Sequence, residues 1–187
     1  MKARKEIRAT VRIALSVAFL CVSAMIAVPF FPVPFTLQSF AVLLVISLLG
    51  SKDGGIALVL YHALGAIGLP VFSSFGGGIG VLLGPTGGFL FGFLGAPFVF
   101  VLCRRMIRKE RLSLLLAMIG SLLLLYLCGT LWYYYLFAAG ASLWAVLSLT
   151  VLPFLLPDAI KLFLVLLVNG RMKKHPAFSH SKSTKTR

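Results

Sequence analysis

The chain is poor in charge, and above all in acid. Of its 187 residues only 4 are Asp or Glu and 12% are charged, whereas 60% are hydrophobic and the mean hydropathy is +1.04. An average soluble domain carries about 25% charged and about 45–50% apolar residues. The composition therefore excludes an ordinary soluble protein and indicates a chain that folds within a membrane.

Cysteine and catalytic motifs are scarce as well. Cys21, Cys103 and Cys128 are odd in number and far apart, which argues against a disulfide framework or a metal site. The sequence contains no H-E-x-x-H, no G-x-S-x-G and no Walker-A motif. We therefore expect no metal, no cofactor and no enzymatic activity, and in particular no nucleotide hydrolysis by this chain.

Long runs without charge set the number of membrane spans. Residues 13–51, 54–103 and 112–157 form runs of 39, 50 and 46 residues without a charged side chain. A helix rises about 1.5 Å per residue and the hydrocarbon core is about 30 Å thick, so each run is too long for one crossing and fits two. Clusters of proline and glycine divide the runs. The predicted fold is an all-α integral membrane protein with six transmembrane helices at about 13–29, 35–50, 54–69, 86–103, 112–136 and 152–170.

The basic residues orient these spans. Of the 18 Lys and Arg residues, 17 flank the spans on one side, and the three loops on the other side carry no charge. Because basic loops favour the cytoplasm, both termini are predicted to be cytoplasmic, and the net charge of +14 needs no nucleic-acid partner. We expect residues 1–172 to form one membrane domain and residues 173–187 a polar, disordered cytoplasmic tail. A cleaved signal peptide is the alternative interpretation of the N-terminal segment.

Two opposite charges lie within predicted span six, in its outer half to middle. Asp158 and Lys161 are spaced i, i+3 and share a helix face. A charge at bilayer depth costs several kcal/mol and is a functional hypothesis by default. A carboxylate that accepts N–H groups, beside an ammonium that donates to a carbonyl, matches a neutral urea, amide or pyrimidine. The alternative is a buried ion pair that only stabilises the fold.

The loop between spans three and four is rich in glycine. Residues 68–92 contain nine of the 18 glycines of the chain. Glycine permits close approach of the backbone, whose N–H groups can then bind a ligand. Pro85 suits the first turn of span four, which would place the positive end of that helix beside the loop, ready for an anionic group. A merely flexible loop is the alternative.

Three other features are less specific. Gln38 opens span two and either caps it or faces a cavity. Trp132 lies near the outer end of span five, where it belongs to an interfacial aromatic belt or stacks on a ligand. Ala14 and Ala18 form a small-xxx-small step in span one, which suits either docking to another membrane protein or internal packing.

Four motifs together resemble a known family. The segments 32–38, 66–72, 84–90 and 153–158, the last followed by Lys161, resemble in order and spacing the BioY family over about residues 9–172. Members of that family are the biotin-binding substrate components of energy-coupling-factor (ECF) transporters, and they often have Tyr where this chain has Phe89.

The resemblance implies a six-helix protein of the bacterial cell membrane, surrounded by lipid, that captures extracellular biotin with high affinity. Biotin is then the transported ligand and not a cofactor. The resemblance also implies coupling to a transmembrane subunit, which Ala14 and Ala18 would face, and to two ATP-binding subunits. The candidate biotin-binding residues are Phe35, Gln38, Gly77, Gly78, Gly84, Thr86, Gly87, Gly88, Phe89, Trp132, Asp158 and Lys161.

Other functions stay open at the level of the sequence. One alternative within the same class is a transporter subunit that captures another vitamin. From a different class, a small membrane acyltransferase would use the basic cluster at 104–111 to handle phosphate. A channel is disfavoured because one Asp and one Lys cancel, whereas a selectivity filter needs a ring of one sign.

Overall fold

The computed structural model describes residues 2–172, apart from the side chains of Lys2 and Lys5, so the predicted tail at 173–187 lies outside the described residues. Helices account for nearly all of the fold. They are α1 (Lys2–Met25), α2 (Gln38–Ala66), α3 (Ile79–Leu82), α4 (Gly87–Met106), α5 (Glu110–Leu136), α6 (Leu143–Thr150) and α7 (Leu152–Met172). Two short strands, β1 (Ala27–Val28) and β2 (Phe35–Thr36), and a 3-10 turn at Ser73–Phe75 complete the described part.

The helix α2 is a hairpin of two arms. Gly50 breaks it with φ of 84° and ψ of 170°, a conformation that glycine adopts without strain. The side-chain amide of Gln38 donates to the hydroxyl of Tyr61 at 2.9 Å, although a straight helix would separate these residues by about 35 Å. In the described residues, five helical segments are long and apolar enough to cross a membrane. Because α2 turns back at Gly50, they make six crossings, as predicted.

The first outer connection is not helical, contrary to the predicted spans 13–29 and 35–50. The helix α1 ends at Met25, and the strands β1 and β2 then pair antiparallel. Three prolines lie between the strands, at positions where the chain can neither continue a helix nor supply its N–H groups. The all-α fold class is confirmed, and at this connection only the ends of the two spans differ from prediction.

Two further boundaries differ from prediction. The break expected between spans five and six is filled by α6, whose first turn is capped by Ser142 accepting a hydrogen bond from the Ala145 amide at 3.2 Å. With α7 it forms a 30-residue apolar segment from Leu143 to Met172. Pro85 lies outside α4, which begins at Gly87, so the prediction that Pro85 occupies its first turn was wrong.

The basic segments meet at one end of the bundle, which we call the inner end. Arg12 of α1 contacts Asp53, next to the Gly50 bend, at 3.9 Å. Met172 lines the same groove as Arg12, so the end of α7 lies beside α1 here. The opposite, outer end carries the charge-free loops. The predicted topology requires this sorting, and the assignment of the inner end to the cytoplasm stays a prediction.

Candidate ligand-binding site

One face of α7 carries the charged pair toward the other helices. Its buried residues are Phe154, Asp158, Lys161, Val165 and Asn169, spaced by three or four positions. This spacing follows one face of a helix. The opposite face of α7, toward the lipid, is exposed and apolar. The sequence thus places both charges at the interior of the bundle, where neighbouring helices can supply polar partners.

Hydrogen bonds hold the pair in a network across three helices. Lys161 Nζ lies 2.8 Å from Asp158 Oδ1 and 3.0 Å from Ser39 Oγ, to which it donates. Ser39 in turn donates to Asp158 Oδ1 at 2.9 Å, and the hydroxyl of Tyr126 donates to Asp158 Oδ2 at 2.6 Å. Asp158 is 4% exposed and Lys161 9%. At this burial the carboxylate is stabilised by its cation and by the two hydroxyl donors.

The network has hydrogen-bonding groups left over for a ligand. In the described part of the chain, the Lys161 ammonium donates two hydrogen bonds and has three N–H groups. Asp158 Oδ2 accepts from Tyr126 alone among these residues and has a second lone pair. One donor and one acceptor, close together, can therefore meet a neutral polar group.

A cavity below the outer loops gives access to the pair. Its solvent-accessible volume is about 60 Å³, below the range of about 300–1,000 Å³ that is usual for small-molecule sites, so side chains of the wall must move apart to admit a ligand of that size. Its wall is mostly apolar and aromatic, with polar groups concentrated around Asp158. The lining residues are Val33, Pro34, Thr36, Gln38, Ser39, Ser73, Thr86, Phe89, Leu90, Phe93, Leu125, Tyr126, Phe154, Asp158 and Lys161.

Five of the candidate residues line this cavity. They come from α2, from the start of α4 and from α7, and they are Gln38, Thr86, Phe89, Asp158 and Lys161. Phe35 is outside the lining, but its ring stacks on that of Phe154 with centroids 4.4 Å apart. Phe35 therefore supports the wall from behind.

The candidate glycines also lie outside the lining. A Cβ on Gly88 would collide with Trp132 and would lie 2.6 Å from the Cys128 carbonyl oxygen, and one on Gly87 would collide with the Leu82 carbonyl. A Cβ on Gly77 would likewise collide with the Leu69 carbonyl. These glycines permit the outer loop and α4 to pack tightly, so they shape the cavity without facing it.

Two further contacts fasten the outer loop. Gly78 has φ of +87°, and its N–H donates to the Gly65 carbonyl at 2.7 Å. Trp132, a candidate for stacking on a ligand, is outside the cavity lining and donates its indole N–H to the Gly84 carbonyl at 3.0 Å. Gly78, Gly84 and Trp132 therefore attach the loop to the ends of α2 and α5.

Sequence reasoning missed several lining residues, and four of them bind the charged pair or form its aromatic wall. Ser39 and Tyr126 bind Asp158, and Phe93 and Phe154 form part of the wall. Tyr126 gave a weak signal as a phenol in the middle of an apolar run. Nothing in the sequence joins it to Asp158, 32 positions away, because that contact depends on how α5 and α7 pack.

Ala14 and Ala18 are exposed on α1, whereas Ser16, Val17 and Leu20 of the same helix are buried. Internal packing, the alternative use of the small-xxx-small step, is therefore excluded in the described structure. The exposed alanines offer a smooth strip to a lipid or to another helix.

Comparison with known proteins identifies the family. The protein-family model described as "BioY family" matches residues 1–177. A "Biotin transporter BioY" of Thermotoga maritima is 39% identical over 168 residues, which is 89% of this chain and 96% of that protein. A "Probable biotin transporter BioY" of Pyrococcus horikoshii is also 39% identical, over 86% of this chain and 93% of its own. The fold is similar to the crystal structure of the S-component for biotin from an ECF-type ABC transporter, with a TM-score of 0.83, 27% identity and coverage of 96% and 97% of the two chains. The chain therefore belongs to the BioY family.

Proposed function

We propose that this chain is the substrate-binding subunit of an ECF-type transporter and binds biotin in the outer cavity. The observation that carries the proposal is the buried Asp158–Lys161 pair in the cavity wall, neutral as a pair and with a spare donor and acceptor. The named relatives are biotin transporters and an ECF S-component for biotin, which supports the same ligand.

The ureido ring of biotin complements the pair. It is neutral and presents N–H donors and one carbonyl acceptor on a rigid ring. Asp158 Oδ2 accepts a ureido N–H, and the third N–H of Lys161 donates to the ureido oxygen. A neutral ligand group leaves the charges of the pair balanced, so no unpaired charge is buried when biotin binds.

The rest of biotin matches the remaining wall. The apolar sulfur ring and alkyl chain pack against Phe89, Phe93 and Leu125, which line the cavity. The carboxylate at the far end reaches the start of α4, where Thr86 lines the cavity just before Gly87. The positive end of the helix dipole and the Thr86 hydroxyl favour an anion there.

Uptake requires partner subunits. Two ATP-binding subunits hydrolyse ATP, and a transmembrane subunit carries their motion to this chain, which spans the plasma membrane six times. The exposed Ala14 and Ala18 form the surface for the transmembrane subunit, since small residues permit close helix approach.

Calorimetric titration of the detergent-purified chain with biotin tests the ligand and the site together. We expect tight binding by the wild type and a loss of about 100-fold in Asp158→Asn, because the hydrogen bond from the ligand to a charged carboxylate, worth about 1.5–3 kcal/mol, is lost. Asp53→Asn is the matched control, because Asp53 lies at the inner end. Equal affinity of Asp158→Asn and wild type would refute the site. Tighter binding of riboflavin or thiamine than of biotin would refute the ligand.

Co-purification with co-expressed partner subunits tests the docking surface. Ala18→Trp is expected to retain biotin binding and to lose the transmembrane subunit, because the indole prevents close approach. Leu127→Trp, on an exposed position of α5, controls for added bulk in the membrane. Full recovery of the complex with Ala18→Trp contradicts the assignment.

A further inference from the structure

A second, larger concavity lies on the lipid-facing side of the inner half, between the second arm of α2 and α4. Its solvent-accessible volume is about 620 Å³. Its floor is formed by Gly55 and Pro97, where a Cβ on the glycine would lie 3.5 Å from Pro97 Cγ. Leu60, Leu94 and Phe98 are among its apolar walls, and Lys52 lies at its inner end. We call this concavity the α2–α4 groove.

The length of the groove matches one leaflet. Lys52 and Leu60 are eight positions apart along the second arm of α2, a rise of about 12 Å. One leaflet contributes about 15 Å of hydrocarbon, half of the bilayer core. A single extended acyl chain that enters at the inner interface therefore covers the groove and ends near Leu60 and Leu94.

The mouth of the groove is cationic. Lys52 is exposed and has no ion pair within the described part of the chain. The neighbouring Asp53 is engaged with Arg12. Arg104 and Arg105 follow Val101, a lining residue, by one turn on α4, and both are exposed. Apolar walls thus end in three cations, which is the arrangement that binds an anionic headgroup at a membrane interface.

We propose that the α2–α4 groove binds an anionic phospholipid of the inner leaflet. One acyl chain lies over Gly55 and Pro97, and the phosphate binds Lys52 together with Arg104 and Arg105. Another apolar groove of the described chain, lined by Arg12 and Met172, is smaller, and its arginine is already paired with Asp53. This site is on the opposite half of the molecule from the cavity of Asp158 and does not depend on the identity of the transported ligand.

Native mass spectrometry of the full chain tests the proposal. The chain is released from detergent containing equal amounts of phosphatidylglycerol and phosphatidylcholine with identical acyl chains. The wild type is expected to retain phosphatidylglycerol preferentially. Lys52→Gln is expected to lower that retention about fivefold, the effect of about 1 kcal/mol per basic residue near an anionic surface. Leu60→Trp fills the groove and is expected to lower it as well.

Two controls separate this site from general effects. Arg4→Gln removes an exposed cation from α1, and Leu127→Trp adds the same bulk on α5, and both are expected to retain lipid as the wild type does. Melting followed by circular dichroism establishes that each variant is folded. Wild-type retention in both Lys52→Gln and Leu60→Trp overturns the proposal, as does an equal loss in Arg4→Gln. A change of oligomeric state in Leu60→Trp without loss of lipid would instead assign the groove to a second copy of the chain.

Discussion

The two halves of the bundle use charge in opposite ways. At the outer half, one acid and one base are 4% and 9% exposed, bound to each other and to two hydroxyl groups. At the inner half, cations are exposed, and the ion pair between Arg12 and Asp53 is long and about one third exposed. Buried charges interact strongly and must be matched group by group, whereas exposed charges act through their sum. The outer pair is therefore suited to recognising a ligand, as proposed, and the inner cations are suited to setting the predicted topology.

The largest expected difference between the two halves comes from removing one cation from each and comparing the losses in stability. Lys161→Ala leaves the Asp158 carboxylate buried with hydroxyl partners alone, which costs about 3–5 kcal/mol in the free energy of unfolding and abolishes biotin binding. Arg105→Ala, at an exposed inner position, is expected to change the unfolding free energy by about 0.5 kcal/mol or less. Thermal melting in detergent measures both. Similar losses in the two variants would remove the distinction between the halves.

A smaller effect is expected from one hydroxyl of the outer network. Tyr126→Phe removes the donor to Asp158 Oδ2 and leaves the ring in place, at a cost of about 1.5–3 kcal/mol, the usual value for a hydrogen bond to a charged group. Tyr135→Phe, at a side chain that is 76% exposed, is the control and is expected to behave as wild type. Biotin titration and melting of both proteins check this. If Tyr126→Phe matches Tyr135→Phe, the carboxylate does not depend on α5.

The smallest effect separates two glycines within the outer half. Gly88→Ala places a methyl group against Trp132 and the Cys128 carbonyl, so α4 or α5 must shift, at about 1–3 kcal/mol for overpacking. Gly80→Ala meets nothing within 4 Å and is expected to be neutral. Melting temperatures and biotin affinities of the pair measure the difference. A neutral Gly88→Ala would show that the outer loop is not held by this packing.

Much of this architecture is contained in the sequence. Charge-free runs predict six crossings, the spacing of Asp158 and Lys161 predicts a shared helix face, and their depth predicts a site. The six crossings and the shared face are confirmed, because hydropathy and helical periodicity are local properties, and the ligand site stays a prediction. The motifs of the resemblance also locate Gln38, Thr86 and Phe89, which line the cavity.

The rest depends on tertiary packing. Trp132 and the glycines of the outer loop were predicted to contact the ligand. In the structure they contact backbone carbonyls and side chains of neighbouring segments. Ser39 contacts Asp158 across 119 positions, and no local pattern reports such a contact. The helix α6 was missed because residues 140–150 contain a glycine and polar residues typical of a loop, while its burial against α5 at Thr130 and Thr150 favours a helix.

The central claim is that the Asp158–Lys161 pair recognises the ureido ring of biotin. A crystal structure of the purified chain with biotin tests it most directly. The account predicts a ureido N–H within hydrogen-bonding distance of Asp158 Oδ2 and the ureido oxygen on Lys161 Nζ, with the carboxylate near Thr86. Biotin bound with its carboxylate on Lys161, or bound outside the cavity, would contradict it.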